Sequence, residues 1–347
     1  MQKLKDFKDE INKCSKCGLC QGVCPVYKET GNDCAVSRGK FVMLDGVLKG
    51  DLKLNKNINK YLDLCLKCGK CSKFCPSSID VCKIFETAKH EYIKDTITGK
   101  IIFFLESKFI FGSIINLFKF INKSFNKKIP SKGLKILYFK GCVNNIFPNK
   151  FIEKIPDIEI IEKDFECCGL PFLSSGNLER FEEVKRHNLK LMNCDFDFVL
   201  TDCASCESTL KGYFTDNDIN FINLEELIVR QKMKFRFPKP IKVTFHKPCH
   251  LENDNSVKMI LDNCENVEYV EMENYDDCCG FAGEFAVKNP KLSQKLSKNK
   301  AENIINTQAD YVITTCPSCI LGLKQGLFQI KGKKPKVLTL SQFLLKS

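Results

Sequence analysis

The 347-residue chain has no tryptophan, four histidines and no glycine-rich phosphate loop. Neither G-x-G-x-x-G nor G-x4-G-K-[ST] occurs, which removes the nicotinamide, flavin and nucleotide fingerprints. Any organic substrate would therefore be oxidised by a separate flavoprotein. Blocks of five or six like charges are also missing. The net charge is +12, from 54 Lys+Arg against 42 Asp+Glu, but the lysines are spread over the whole length. Nucleic acid is thus not an expected partner. A solvated lysine-rich surface is the plain reading; a face for an anionic membrane or an acidic redox partner is the sharper one. The opening stretch Met1–Glu10 has no apolar h-region, so a reducing cytosolic compartment is expected. Peripheral attachment to the inner face of the cell membrane is the variant of that expectation. No apolar run reaches the ~20 residues that span a bilayer. Phe109–Phe118 is uncharged, but Glu106, Lys108 and Lys119 bracket it. We expect residues 101–133 to form an apolar connecting helix and linker, with an interfacial helix as the alternative. The absence of tryptophan beside 28 phenylalanines is a compositional bias without a physical reading.

What the chain does have is cysteine, 22 in all. In a reducing compartment that density means metal or redox chemistry and not disulfides. Two runs stand near the N-terminus: Cys14, Cys17, Cys20, Cys24-Pro25 and Cys65, Cys68, Cys71, Cys75-Pro76. Each reads C-x2-C-x2-C-x3-C-P, a spacing that holds [4Fe–4S] clusters. Cluster iron prefers thiolate. The proline fixes φ and is expected to stop the local helix. Zinc sites pair C-x2-C units and lack this run, so zinc or disulfides are the weaker readings. The spacing resembles that of bacterial two-cluster ferredoxins, in which the last cysteine of each run ligates the other cluster. The resemblance implies one cluster on Cys14, Cys17, Cys20 and Cys75, and a second on Cys65, Cys68, Cys71 and Cys24. Residues 1–100 then form a helical ferredoxin-type domain. Helices are expected in the second half of 32–44 and over Asn55–Leu66.

From residue 134 short β-rich runs alternate with helical ones. Strands are predicted at Leu134–Phe139, Ile158–Glu162, Phe198–Thr201, Ile241–Phe245, Val267–Glu271 and Tyr311–Thr315. Helices are predicted at Asn177–Asn193, Leu224–Lys232 and Pro290–Asn306. The alternation implies parallel α/β layers. The cysteines here repeat. Cys142, Cys167-Cys168 and Cys203-x2-Cys206 form one set; Cys249, Cys278-Cys279 and Cys316-x2-Cys319 form the other. One duplication explains both. We divide the half into units at 134–235 and 236–347. Five thiols are one too many for tetrahedral zinc, and adjacent cysteines make poor disulfides. A polynuclear iron–sulfur centre fits the number better.

The units Cys167-Cys168-Gly169-Leu170-Pro171 and Cys278-Cys279-Gly280-Phe281-Ala282-Gly283, each followed by C-x2-C, resemble the cysteine-rich "CCG" domain. So do the entries Phe139-Lys140-Gly141-Cys142 and His246-Lys247-Pro248-Cys249-His250-Leu251. That domain occurs in heterodisulfide reductases and in the iron–sulfur subunits of glycolate oxidase and anaerobic glycerol-3-phosphate dehydrogenase. The resemblance implies one or two further, non-cubane [4Fe–4S] centres. Ser37-Arg38-Gly39-Lys40, Leu62–Cys68 and Cys75–Asp80 resemble the glycolate oxidase iron–sulfur subunit. This implies an electron-transfer subunit of a 2-hydroxyacid (glycolate or D-lactate type) dehydrogenase. An FAD-dependent partner would take two electrons from the substrate, and the chain would relay them singly toward quinone or another membrane redox partner. The alternative is a heterodisulfide or disulfide reductase catalytic subunit. No flavin or nucleotide is expected in this chain. Cys34, Cys82, Cys194 and Cys264 fall outside every set and read as packing cysteines. His246 and His250 flank Cys249, as cluster neighbours or as plain strand-end histidines. His90 and His187 carry no argument.

Overall fold

The computed structural model describes residues 2–95, 133–146, 148–214 and 219–347. The expected connecting helix and linker at 101–133 therefore lie, apart from Gly133, outside the described residues. No helix among the described residues is long and apolar enough to cross a membrane.

The N-terminal region is helical. Its core joins Leu4, Phe7 and Ile11 to Phe41 and Leu44, to Ile58 and Leu62, and to Ile84, Phe85 and Ala88. The helix Ser37–Lys49 runs past the predicted end and stops at Gly50, whose left-handed backbone caps it. Asn55 caps Lys56–Asp63 by accepting from the amides of Asn57 and Ile58, a cap typically worth about 1 kcal/mol. Pro25 does more than end a helix. Leu19–Val23 closes before it, and Pro25 opens the next helix, Pro25–Thr30, at the position where its missing amide costs nothing.

The rest is two α/β units of one design. The first sheet runs β2-β1-β3-β4, with β1 Leu134–Tyr138, β2 Ile158–Glu162, β3 Phe198–Thr201 and β4 Phe221–Asn223. The second runs β6-β5-β7-β8, with β5 Phe235–Phe245, β6 Cys264–Tyr269, β7 Tyr311–Thr314 and β8 Lys336–Thr339. Every pairing is parallel. In both sheets the strand order reverses between the two central strands, where open α/β sheets place their sites. Strand β5 begins six residues before the predicted Ile241. Pro238 and Pro240 sit inside it, but the register with β6 shifts between Arg236 and Ile241, and β7 pairs only from Val243. The prolines fall where no ladder amide is needed. The edge strands β4 and β8, three and four residues long, were not predicted, nor were the helices Ala204–Lys211 and Pro317–Phe328. The two sheets share their cores. Ile136, Tyr138 and Leu200 pack with Val243, Phe245 and Ile313, while Leu137, Phe139 and Val199 pack with Val312 and the cysteines.

Candidate iron–sulfur sites

Two cavities of about 400 Å³ and about 410 Å³ lie in the helical region. The first is lined by Cys14, Cys17, Cys20, Cys71 and Cys75. The second is lined by Cys24, Cys65, Cys68, Cys71 and Cys82. The last cysteine of each run thus faces the other run's triplet, and Cys71 stands on the wall between. Lys16 and Lys67, at the same place in each run, both take left-handed backbone, which costs about 1–2 kcal/mol for a residue with a Cβ. That bend wraps the triplet around its cavity.

The thiols fit an iron–sulfur core better than they fit bare protein. Burial pushes the Cys24, Cys68 and Cys71 thiols up. Burial would raise Cys65 as well, but Lys40 and Lys67 hold it below its ordinary range. Lys40 is 1% exposed and donates to the Leu64 carbonyl at 3.1 Å. Burial pulls its ammonium down, and the opposing pull comes from Cys65, Cys24 and Cys71. A buried cation aimed at thiols is complemented by an anionic, thiolate-ligated cluster. Sequence reasoning gives Lys40 no site role of its own, although it lies in the motif Ser37-Arg38-Gly39-Lys40. Cys82, which the sequence suggests is a packing cysteine, lies on the second cavity's wall. Arg38 lines the first.

The ten thiols of the α/β units form one contact chain. In the first unit Cys142 meets Cys167, Cys167 meets Cys168, Cys168 meets Cys206, and Cys206 meets Cys203. In the second, Cys249 meets Cys278, Cys278 meets Cys279, Cys279 meets Cys319, and Cys319 meets Cys316. Cys203 also meets Cys316, which joins the sets. The Ala204 amide donates to the Thr315 carbonyl at 3.1 Å at the same junction. Eight of these ten cysteines are buried; Cys142 and Cys249 are half-buried. Ser205 Oγ lies 3.5 Å from Cys316 Sγ and 3.1 Å from His250 Nδ1.

The sequence Cys-Cys-Gly is explained locally. Gly169 and Gly280 have φ of +92° and +80°. A Cβ on Gly169 would come within 2.6 Å of the Phe181 ring, and one on Gly280 within 2.8 Å of Leu296 Cβ. The glycine lets the cysteine loop close against the helices Leu178–Leu191 and Pro290–Asn306. In the first unit Tyr213 donates to the Cys168 carbonyl at 2.6 Å and Asn188 to the Cys167 carbonyl at 3.1 Å.

The helical region docks on the second unit. Lys70, inside the second cysteine run, pairs with Asp276 at 3.1 Å and Asp277 at 2.6 Å, immediately before Cys278. His250 Nε2 lies 3.0 Å from the Lys67 carbonyl. Cys24 and Cys68 pack with Cys249 and Cys278, and Cys68 feels the charge of Cys249. Of the histidines, His246 is fully buried, and burial holds it neutral. His90 bonds the Gly176 carbonyl at 2.9 Å. His187 is exposed. Cys264 is buried at the start of β6, and Cys194 is half-buried with a contact to the Leu191 carbonyl; Cys34 is half-buried. None of these last three lines a described cysteine set.

Comparison with known proteins decides the family. A 4Fe-4S dicluster domain matches residues 10–79, and a cysteine-rich domain matches twice, at 136–211 and 243–324. The chain belongs to the iron–sulfur proteins that join a dicluster domain to two cysteine-rich domains. Such proteins resemble it over nearly its whole length. A fumarate reductase (CoM/CoB) subunit of Methanothermobacter marburgensis is 27% identical over 94% of this chain and 70% of its own. The probable glycolate oxidase iron-sulfur subunit of Bacillus subtilis is 23% identical over 92% of this chain and 89% of its own. A dihydromethanophenazine:CoB–CoM heterodisulfide reductase subunit of Methanosarcina acetivorans is 24% identical over 93% of this chain and 90% of its own. The dicluster match falls on the helical region, and the two cysteine-rich matches fall on the two parallel sheets.

Proposed function

We propose that the chain is the iron–sulfur electron-transfer subunit of a 2-hydroxyacid dehydrogenase of the glycolate or D-lactate type. The single observation that carries the reading is the unbroken path of thiols. It begins at Cys17, the one exposed cysteine, and passes from the first cavity to the second across Cys71. Cys68 packs in the cluster that holds Cys249 and Cys278, and the second unit leads through Cys316 and Cys203 to the first. Bound clusters would supply one-electron carriers along this path. Cys14, Cys17, Cys20 and Cys75 would hold one [4Fe–4S] cluster, and Cys65, Cys68, Cys71 and Cys24 a second. Each five-cysteine set would hold a further, non-cubane centre. Lys70 and Lys67 fix the spacing between the second cavity and the second unit. Exposed Cys17 and Leu19, the latter 57% exposed, support the first cavity as the face on which an FAD-dependent partner would dock. Quinone or another membrane carrier would accept at the far end.

The test is reduction by the partner. An FAD-dependent 2-hydroxyacid dehydrogenase supplied with its hydroxyacid should bleach the visible absorption of the anaerobic chain and co-purify with it. A chain that neither binds the flavoprotein nor is reduced by it would sink the reading.

One observation favours a second reading, a disulfide reductase. A polar cavity of about 330 Å³, lined by Glu207, Lys211, Asn223, Glu226, His250 and Asn253 among others, opens beside the junction of the two five-cysteine sets. Its mainly polar lining suits a small polar disulfide. Turnover of low-molecular-weight disulfides by the isolated chain with a reduced viologen dye would support this reading, and its absence across coenzyme and glutathione-type disulfides would remove it.

A further inference from the structure

The two cysteine-rich units differ at one place that bears on chemistry. Tyr138 and Phe245 occupy equivalent positions, because each pairs one central strand with the other: Tyr138 with Leu200, Phe245 with Ile313. The next residue is Phe139 in the first unit and His246 in the second. The Phe139 amide donates to Leu200, and the His246 amide to Ile313, so the two backbones are superposable here. Phe139 packs apolar among its unit's cysteines. His246 is 0% exposed, and neither ring nitrogen has a hydrogen-bond partner. A ring nitrogen of His246 and the sulfurs of Cys279 and Cys319 all lie within 4.8 Å of one another. Two residues earlier, Thr244 stands where the first unit has Leu137. Its hydroxyl and that of Thr314 are also buried without a partner. Buried polar groups in native proteins are satisfied, and an unsatisfied one asks for a missing partner. Neutral imidazole is an established iron ligand.

We propose that His246 is a sixth protein ligand of the second cysteine-rich centre, bonded to iron through a ring nitrogen. The inference rests on the reading that this set holds an iron–sulfur centre. The first unit, with Phe139 in that place, is ligated by cysteine alone. Imidazole ligation raises the potential of an iron–sulfur centre relative to thiolate alone. The second centre is then the electron sink between the dicluster domain and the first unit, and transfer onward to the first unit is the gated step.

The chain has only four histidines, so isotopic labelling is selective. Protein labelled with 15N-histidine is prepared anaerobically and studied by pulsed EPR at the cysteine-rich centres. His246→Phe copies the residue the first unit already accommodates; His246→Asn guards against overpacking. The expected result is a strong 15N coupling that both variants lose. One midpoint moves to more negative potential, the others stay, and iron and sulfide contents stay near those of the parent. Full iron content without that coupling, or with all midpoints unchanged in the variants, would overturn the assignment. A second unit without iron even in the parent would instead defeat the cluster reading itself.

Discussion

In the first cysteine-rich unit Leu137 and Phe139 line the approach to Cys142; in the second, Thr244 and His246 occupy the same stations before Cys249. The strands carrying them share order and direction. A second, separate contrast lies at the edge of each sheet. Asn223 and Thr339 both cap a short helix through a reciprocal bond to the residue three further on. Behind the cap the first unit buries Glu225 and the second buries Ser341. A duplicated backbone thus fixes where thiols converge, while a few buried polar substitutions decide how the two convergences differ.

The largest effect should follow from removing a thiol shared within one set. Cys279→Ser should cost the second unit its iron and leave the dicluster signals intact, and Cys168→Ser should do the same for the first unit. Cys279→Ser should also stop reduction of the first unit through the dicluster domain, whereas Cys168→Ser should not stop reduction of the second. Iron and sulfide analysis with EPR checks both; equal effects of the two variants on passage would break the assigned order. Next come the glycines. Gly280→Ala should lose about 2–4 kcal/mol, because its Cβ meets Leu296 Cβ and the Ser293 carbonyl in left-handed backbone. Gly169→Ala should lose less, since its Cβ meets only the ring of Phe181, buried and packed on Tyr213, and no backbone atom. Thermal unfolding of the two variants measures the difference.

Glu225 gives a smaller, pH-dependent contrast. Burial raises its carboxyl from 4.5 to about 8, so the folded chain keeps a proton that the unfolded chain gives up. The resulting stabilisation is complete below the unfolded value and is lost as pH rises through about 8. Glu225→Gln should therefore gain on the parent over that window, by up to about 1.4 kcal/mol for each pH increment of one. Denaturant titrations across the window test it; parallel stability curves would contradict the burial argument. Smallest in stability is Lys70→Ala. It frees Asp276 and Asp277 from a half-exposed ion pair, so unfolding should move by about 1 kcal/mol or less. Electron passage from the dicluster domain to the second unit should still slow in stopped-flow reduction.

The cysteine spacing made the thiol sets legible, because a short ligand run is a local property. Strands β2 and β3 and the helix Pro290–Asn306 were readable to the residue, since their apolar patterns are bounded by turn residues. The edge strands β4 and β8 were not: β4 has only three residues, and β8, Lys336–Thr339, offers two apolar residues after a lysine-rich turn. The start of β5 was obscured by Pro238 and Pro240, which a single-strand reading treats as breakers but a register shift tolerates. The meeting of Cys203 with Cys316, the docking of Lys70 and the burial of Lys40 depend on how separate elements pack, and no local pattern encodes them. The contrast of Phe139 with His246 was present in the two aligned entry motifs; what was missing was the knowledge that both side chains face the thiols.

The central claim is an ordered path of four iron sites, and anomalous X-ray diffraction at the iron absorption edge from anaerobically grown crystals tests it most directly. The account predicts iron at four places in sequence: beside Cys17, beside Cys65, within the Cys249 to Cys319 set adjoining it, and last within the Cys142 to Cys206 set. Iron confined to the dicluster domain, zinc at the cysteine-rich sets, or a first unit lying nearer to Cys68 than the second would contradict it.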